Sequence, residues 1–395
     1  MVQAIHPSPR LLGALPLALL LLGCSDAGSR TDNLLHHRTT ASVHLVSDPT
    51  DGFKAIHIAI AALEIGREGQ WTPLSTHPQE TFDLLALPGG AAPLATRVAL
   101  PRAEYRFLRV TFDPDRSTVT EADGAVKPLT LPAEARAPRI FPIDAPPRVG
   151  NLVYDLALDL DPSLSIQRRD AGAGQFSYAL HPVVRVHDRS STGTLAGRLV
   201  DEQNRPLAGV RVTAQVLDPT PGGGPRVVRG ARTGADGQYA LDLLPFSRMH
   251  HAVCQPRVGD KVYGAQASPG FKPLAASSSQ TFNATFQPLG DPAPVQGRIA
   301  APLRPGQHDQ VDLLQELATG ERRGTFLIQS MLAEPGLEGA PSQYWFAPVP
   351  APLPGASYQV RQTRFSLTPQ GGTEAASEVV RPFILKANQK TDIDF

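Results

Sequence analysis

From Ala41 onward the chain alternates apolar and polar positions with a period of two. Val43 and Leu45 belong to the first such run, which stops at the turn cluster Ser47-Asp48-Pro49. Ile56, Ile58 and Ile60 then alternate with His57 and Ala59, and the register slips at Ala61-Ala62 so that Leu63 and Ile65 carry it on. One extra residue in an alternating strand is the signature of a bulge, although a short apolar run containing alanines also allows a helix. Residues 105–112 are apolar on both faces and read as a central strand. Leu152, Tyr154, Leu156, Leu158 and Leu160 alternate with Asp155, Ala157 and Asp159, which predicts one buried and one solvated face. Residues 176–180 repeat the alternation, and Pro182 marks the following strand as an edge or a bulged one.

The pattern restarts at Gly193. Thr194-Leu195-Ala196-Gly197-Arg198-Leu199-Val200 reads as a strand, the polar residues 201–204 as a turn, and Pro206-Leu207-Ala208-Gly209-Val210-Arg211-Val212-Thr213 as the return strand. Asp236-Gly237 supplies the positive φ of a tight turn before Tyr239 and Leu241, and residues 280–286 close the set. A third stretch echoes the second. Val295-Gln296-Gly297-Arg298-Ile299 parallels Leu195-Ala196-Gly197-Arg198-Leu199, and the terminal Lys390-Thr391-Asp392-Ile393-Asp394-Phe395 parallels residues 280–286. The expected fold class is all-β: three β-sandwich modules in tandem, covering 41–188, 193–288 and 294–395, the last two a modest internal repeat.

Two resemblances attach to these residues. Ser47-Asp48-Pro49, Leu63-Glu64-Ile65, Trp71, Phe82-Asp83-Leu84-Leu85, Leu100-Pro101-Arg102-Ala103-Glu104-Tyr105 and Asp155-Leu156-Ala157-Leu158-Asp159 resemble a domain of unknown function found near the N-terminus of many bacterial lipoproteins. That resemblance implies a sandwich-like β fold and no activity. The Gly-x-Val-like opening, Pro-Leu-x-Gly-Val-x-Val and Thr-x-x-x-Gly-x-Tyr of 193–288 resemble the carboxypeptidase regulatory-like domain, a transthyretin-like β-sandwich. Leu353-Pro354-Gly355-Ala356-Ser357-Tyr358-Gln359-Val360 is similar to the same family's Leu-Pro-x-Gly-x-Tyr-x-Val segment. In that family the domain is an accessory module, so the name implies no peptidase activity here.

The start of the chain has a different character. Arg10 precedes an uncharged apolar run from Leu11 to Leu22, ending in Gly23-Cys24-Ser25. A charged start, an apolar core too short to span a bilayer and a small-residue cleavage site make an export signal. Leu21-Leu22-Gly23-Cys24 resembles the lipobox of bacterial lipoproteins, which implies cleavage between Gly23 and Cys24 and acylation of Cys24. The expected layout is a cleaved signal helix over 1–23 and a polar tether over 24–40. The expected location is the cell envelope, lipid-anchored in the outer membrane of a Gram-negative bacterium, with Ser25 after the cysteine favouring the outer membrane.

Composition narrows the function. With 37 basic and 37 acidic residues the formal net charge is zero, without the basic excess of a nucleic-acid binder. The 39 prolines and 34 glycines fit turns and edge strands. Acylation of Cys24 would leave Cys254 without an intramolecular partner, so no disulfide is expected.

Candidate chemistry is thin. His250, His251 and Cys254 offer too few ligands for a closed zinc site, and Cys254 reads as a buried core residue. Asp155, Asp159 and Asp161 lie in one segment, and Asp155 and Asp159, on one face, suit a calcium ion or a glycosidase pair, but the alternation with leucine favours a solvated strand face. Gly222-Gly223-Gly224 lacks the Lys-Ser/Thr of a phosphate loop, and no Gly-x-Ser-x-Gly elbow occurs. Lys261, Lys272 and Asn283 are the residue types of an internal isopeptide bond, at uninformative spacing. Tyr344-Trp345-Phe346 are consecutive, so at least one ring faces outward, where it can stack on a sugar. The expectation is a non-catalytic envelope lipoprotein without cofactor or metal. Its partners are the membrane, through lipid, and a polysaccharide or envelope protein bound through its sandwiches. The alternative is a stalk or scaffold subunit of an outer-membrane assembly with no small ligand.

Overall fold

The computed structural model describes residues 39–395 apart from 51, 68, 75–79, 88–89, 133–135, 145–152, 173–174, 219–223, 247, 277, 291, 305–306, 337–339, 352–356, 368–372 and 387. The residues read as an export signal, Gly23, Cys24 and nearly all of the expected tether therefore lie outside the described residues, as do Leu152, residues 353–356 and Gly222-Gly223. Among the described residues no helix is long and apolar enough to cross a membrane.

The chain is all-β with several sheets, as the alternation predicts. Its first unit contains β1 (Thr39–Ser47), β2 (Phe53–Arg67), β3 (Gln70–Leu74), β4 (Thr81–Asp83), β5 (Ala91–Leu100), β6 (Phe107–Glu121), β7 (Val126–Thr130), β8 (Arg139–Asp144), β9 (Val153–Leu160), a short α1 (Pro162–Ser165), β10 (Ile166–Gly172), β11 (Gln175–Leu180) and β12 (Val184–Asp188). These strands form one hydrogen-bonded path, β10-β11-β7-β6-β8-β12-β9-β1-β5, with β2 joined to β6 and carrying β3 and β4. The path encloses a core that includes Val43, Leu45, Ile56, Ile58, Leu63, Leu108, Leu156 and Leu158. Each such side chain contributes ~1.5–3 kcal/mol by leaving water.

Residues 56–65 are strand, not helix, and the bulge sits where the register slip predicts. Ile60 pairs with Phe112 but Ala62 pairs with Thr111, so Ala61 is the extra residue. A second irregularity lies opposite, between His57–Thr118 and Ala59–Asp113; there the Ser117 hydroxyl accepts from the Ala59 N–H at 3.1 Å and donates to the Asp113 carbonyl at 2.6 Å. The orphaned backbone donor is thus satisfied by a side chain. The central strand expected over 105–112 is β6, which pairs with β2, β7 and β8. One expectation fails. The strand after Pro182, β12, is not at an edge: it lies between β8 and β9, because Pro182 itself stays outside the strand and removes no ladder donor.

The second unit runs β13 (Thr192–Asp201), β14 (Arg211–Leu217), β15 (Pro225–Arg232), β16 (Gln238–Pro245), β17 (His251–Cys254), β18 (Arg257–Val258), β19 (Lys261–Tyr263), β20 (Gln266–Ala267), β21 (Ser279–Thr281), β22 (Ala284–Phe286) and β23 (Pro288–Leu289). Its main sheets are β16-β13-β21, with β22 also on β13, and β15-β14-β17-β20. Leu195, Leu199, Val212, Leu241 and Phe286 fill the space between them. The third unit has β24 (Ala293–Ile299), β25 (Gln307–Thr319), β26 (Arg322–Leu332), β27 (Ser342–Val349), β28 (Tyr358–Leu367), β29 (Thr373–Phe383) and β30 (Thr391–Asp392). Its sheets are β27-β24-β30 and β26-β25-β28-β29, packed over Val295, Val311, Leu313, Phe346 and Val360.

The two smaller units share one construction. Gly197 pairs with Tyr239, whose hydroxyl donates to the Phe282 carbonyl at 2.9 Å, and the Arg198 N–H donates to the Asn283 side chain at 2.9 Å. In the third unit Gly297 pairs with Tyr344, whose hydroxyl donates to the Ile393 carbonyl, and the Arg298 N–H donates to Asp394 at 2.8 Å. A Cβ on either glycine would overlap that same carbonyl, so the close approach of the last strand requires glycine at both places. The echo between 195–199 and 295–299 is therefore structural.

Candidate functional site

On β27 the pleat sends Tyr344 and Phe346 into the core and Trp345 out. Tyr344 is 1% exposed and Trp345 41%; Trp345 is the sole aromatic among the exposed large hydrophobic residues described. The ring is not isolated. The Arg168 guanidinium, from β10 of the first unit, lies 5.0 Å from its centroid and 4.1 Å from that of Phe176. Arg168 also forms an ion pair with Glu334. Cation–π contacts of this kind contribute ~0.5–1 kcal/mol at exposed sites, so the Trp345 ring is oriented by a neighbouring unit. Of the three predicted aromatics, one faces solvent and two are packing.

The aspartates behave differently from expectation. Asp155, at 42% side-chain exposure, keeps to the solvated face and meets Arg189 and His44. Asp159 and Asp161 do not: they are 0% and 1% exposed, because the second unit covers that part of the strand face. With Asp48 they surround two arginines. Arg229 of β15 reaches Asp48 at 3.0 Å and Asp159 at 3.1 Å. Arg185 of β12 lies 3.6 Å from Asp48, 3.5 Å from Asp159 and 3.6 Å from Asp161, and donates to the Val227 carbonyl across the seam. Three carboxylates meet two guanidiniums. Burial, then the neighbouring Asp159 charge, pushes the Asp48 carboxyl up to about 7, against the pull of Arg229. Below about pH 7 a proton on Asp48 evens the count. Arg211 adds a bond to Ser163 at 3.3 Å. Beside this network a groove of about 400 Å³ opens between Leu85 and Leu87 of the first unit and Gly230, Ala240 and Asp242 of the second.

The third unit closes on both others. Gln215 exchanges two bonds with the backbone of Leu327, at 2.7 and 2.9 Å, and Arg361 donates to the Pro225 carbonyl at 3.2 Å. Val253, Ala267, Leu317 and Phe326 form an apolar cluster across that seam. Gln167 of the first unit donates to the Ala333 carbonyl at 3.1 Å.

The remaining candidates have structural partners. His250 Nε2 bonds the Pro245 carbonyl at 2.8 Å, His251 Nδ1 the Ser268 carbonyl at 2.9 Å, and burial pushes the Cys254 thiol up to about 12. A thiol held protonated is a weak nucleophile and metal ligand. Lys261 and Lys272 are exposed and Asn283 is engaged by Arg198. Among the described residues no group of three or more His, Cys, Asp or Glu could hold a metal ion.

Residues 38–182 match the model of a family described as a domain of unknown function (DUF4382), the stretch read above as a lipoprotein-type domain of unknown function. A comparison with curated proteins returned no match. Among solved structures, the Bacillus anthracis TIE protein is 10% identical at a TM-score of 0.21, over 90% of this chain and 50% of its own. This chain thus spans about half the length of that protein. A streptococcal ancillary pilin is 9% identical at a TM-score of 0.20, over 90% of this chain and 98% of its own. The fimbrial anchor protein Mfa2 from Porphyromonas gingivalis is 9% identical at 0.18, over 50% and 99%.

Proposed function

We propose that this chain is a non-catalytic, lipid-anchored envelope protein that presents Trp345 as a stacking platform for a polysaccharide. Export and anchoring rest on the charged start, the Leu11–Leu22 run and the Gly23-Cys24 site. Binding rests on one observation: Trp345 stands outward between two buried neighbours, with Arg168 against its ring. An exposed ring beside Arg168, Glu334 and Gln343 offers a sugar an apolar face together with hydrogen-bonding groups. No bond need be made or broken by such a surface.

The scaffold reading has its own support in the buried seams, which join the units side by side as one body and not as beads on a jointed stalk. The two readings separate on an envelope-polysaccharide and glycan array probed with the full chain. Platform binding predicts saturable signal that Trp345→Ala weakens about tenfold, the ~1.4 kcal/mol scale of a stacking contact. Binding unchanged by Trp345→Ala moves the site elsewhere, and no saturable binding leaves the scaffold. Anchoring is checked separately: Cys24→Ser should release the protein from membranes on alkaline washing, and retention would contradict lipidation at Cys24.

A further inference from the structure

Between the first and third units lies a buried cation for which no described side chain supplies a partner. Arg139, at the start of β8, is 1% exposed, and its Nε and Nη1 have no hydrogen-bond partner. Burial pulls its guanidinium down to about 10. His181 and His308 lie within electrostatic reach of Arg139. Both are 2% exposed, their rings are 4.7 Å apart, and Phe365 stacks on His308 at 5.4 Å. His181 Nε2 faces an Arg169 nitrogen at 3.5 Å, so it is the accepting nitrogen and Nδ1 carries the proton. That Nδ1 has no partner, nor has Nδ1 of His308. The nearest acid acting on His308, Asp309, is already bound by Arg364 and Gln362. An uncompensated buried charge is among the costliest features a fold can carry.

From the unpaired Arg139 guanidinium and these partnerless imidazole nitrogens we propose that Arg139, His181 and His308 bind a small inorganic anion between the first and third units. Their near-complete burial restricts the occupant to a free ion; a phosphate carried on a polymer or lipid could not reach them. Half-buried Arg169, beside His181, is more accessible than the three buried groups. The role is distinct from sugar binding: the ion would neutralise the seam, fixing the first unit against the third and so Arg168 against Trp345.

The test is calorimetric titration of the full chain in detergent, dialysed into a gluconate buffer, with inorganic phosphate and separately with chloride. The proposal predicts one saturable site per chain for at least one of them, and a thermal midpoint that climbs with its concentration as linkage requires. The responding salt identifies the ion. Arg139→Gln should weaken binding more than tenfold and be less destabilised in gluconate than at saturating anion. If that variant does not fold, His308→Gln, which keeps the guanidinium, should still weaken binding several-fold. Tyr239→Phe, in the corner of the second unit away from this seam, should bind the anion normally. Failure of both anions to saturate, or wild-type affinity in the variants, would overturn the assignment.

Discussion

The seams on either side of the first unit are opposite in charge. Against the second unit, Asp48, Asp159 and Asp161 outnumber Arg185 and Arg229. Against the third, Arg139, His181 and His308 meet no free carboxylate among the described residues. Each surplus is buried, so each must be neutralised, and the chemistry available differs. A carboxylate surplus is relieved, below about pH 7, by a proton held on Asp48. An arginine does not give up its proton at ordinary pH, so the other seam keeps its imidazoles neutral and takes a counter-ion. The comparison teaches that net charge zero for the whole chain conceals local imbalances placed where the units join.

The largest effect should come from removing Arg229. With one guanidinium left among three buried carboxylates, Arg229→Leu is expected to cost about 3–5 kcal/mol, read from the midpoint of denaturant unfolding. A change under 1 kcal/mol would mean the second unit does not hold that seam closed.

Acidity should separate the seams next. The Asp48 carboxyl is raised when folded, from its ordinary value near 3.8 to about 7. Its contribution is complete below pH 4 and is lost as pH rises to 7. His308 and His181 are lowered by burial, to about 4 and about 2. Their contribution is present above pH 6.5 and is lost as pH falls through 4 and below. Asp48→Asn should therefore flatten the decline between pH 4 and 7, whereas His308→Phe should flatten the loss between pH 6.5 and 4. Identical pH profiles for the two variants would remove the distinction.

A smaller, paired effect tests the shared corner of the second and third units. Tyr239→Phe and Tyr344→Phe each delete one hydroxyl bond to a carbonyl of the last strand, and each should cost about 1 kcal/mol. Markedly unequal losses would show that the two corners share geometry but not energetics.

Much of the fold was legible in the residues themselves. The slip at Ala61-Ala62 marked a real bulge, Asp236-Gly237 a real turn with Gly237 at φ +79, and the Gly197 and Gly297 echo a repeated corner. Each is a local rule about pleat, φ or close approach. The seams were not legible, because alternation tells which face a residue occupies and not what covers that face. Asp159 looked solvated for that reason, and Pro182 looked like an edge marker although β12 begins only after it. Arg139, His181 and His308 come from distant parts of the chain, and no spacing announced their meeting. At the candidate platform, consecutive aromatics predicted one outward ring but not which, and gave no hint of Arg168.

Differential scanning calorimetry of the full chain at neutral pH tests the joined body most directly. Seams of this extent predict one unfolding transition with equal calorimetric and van't Hoff enthalpies. Two or three separate transitions, each unmoved by Arg229→Leu, would mean that the units fold and act independently.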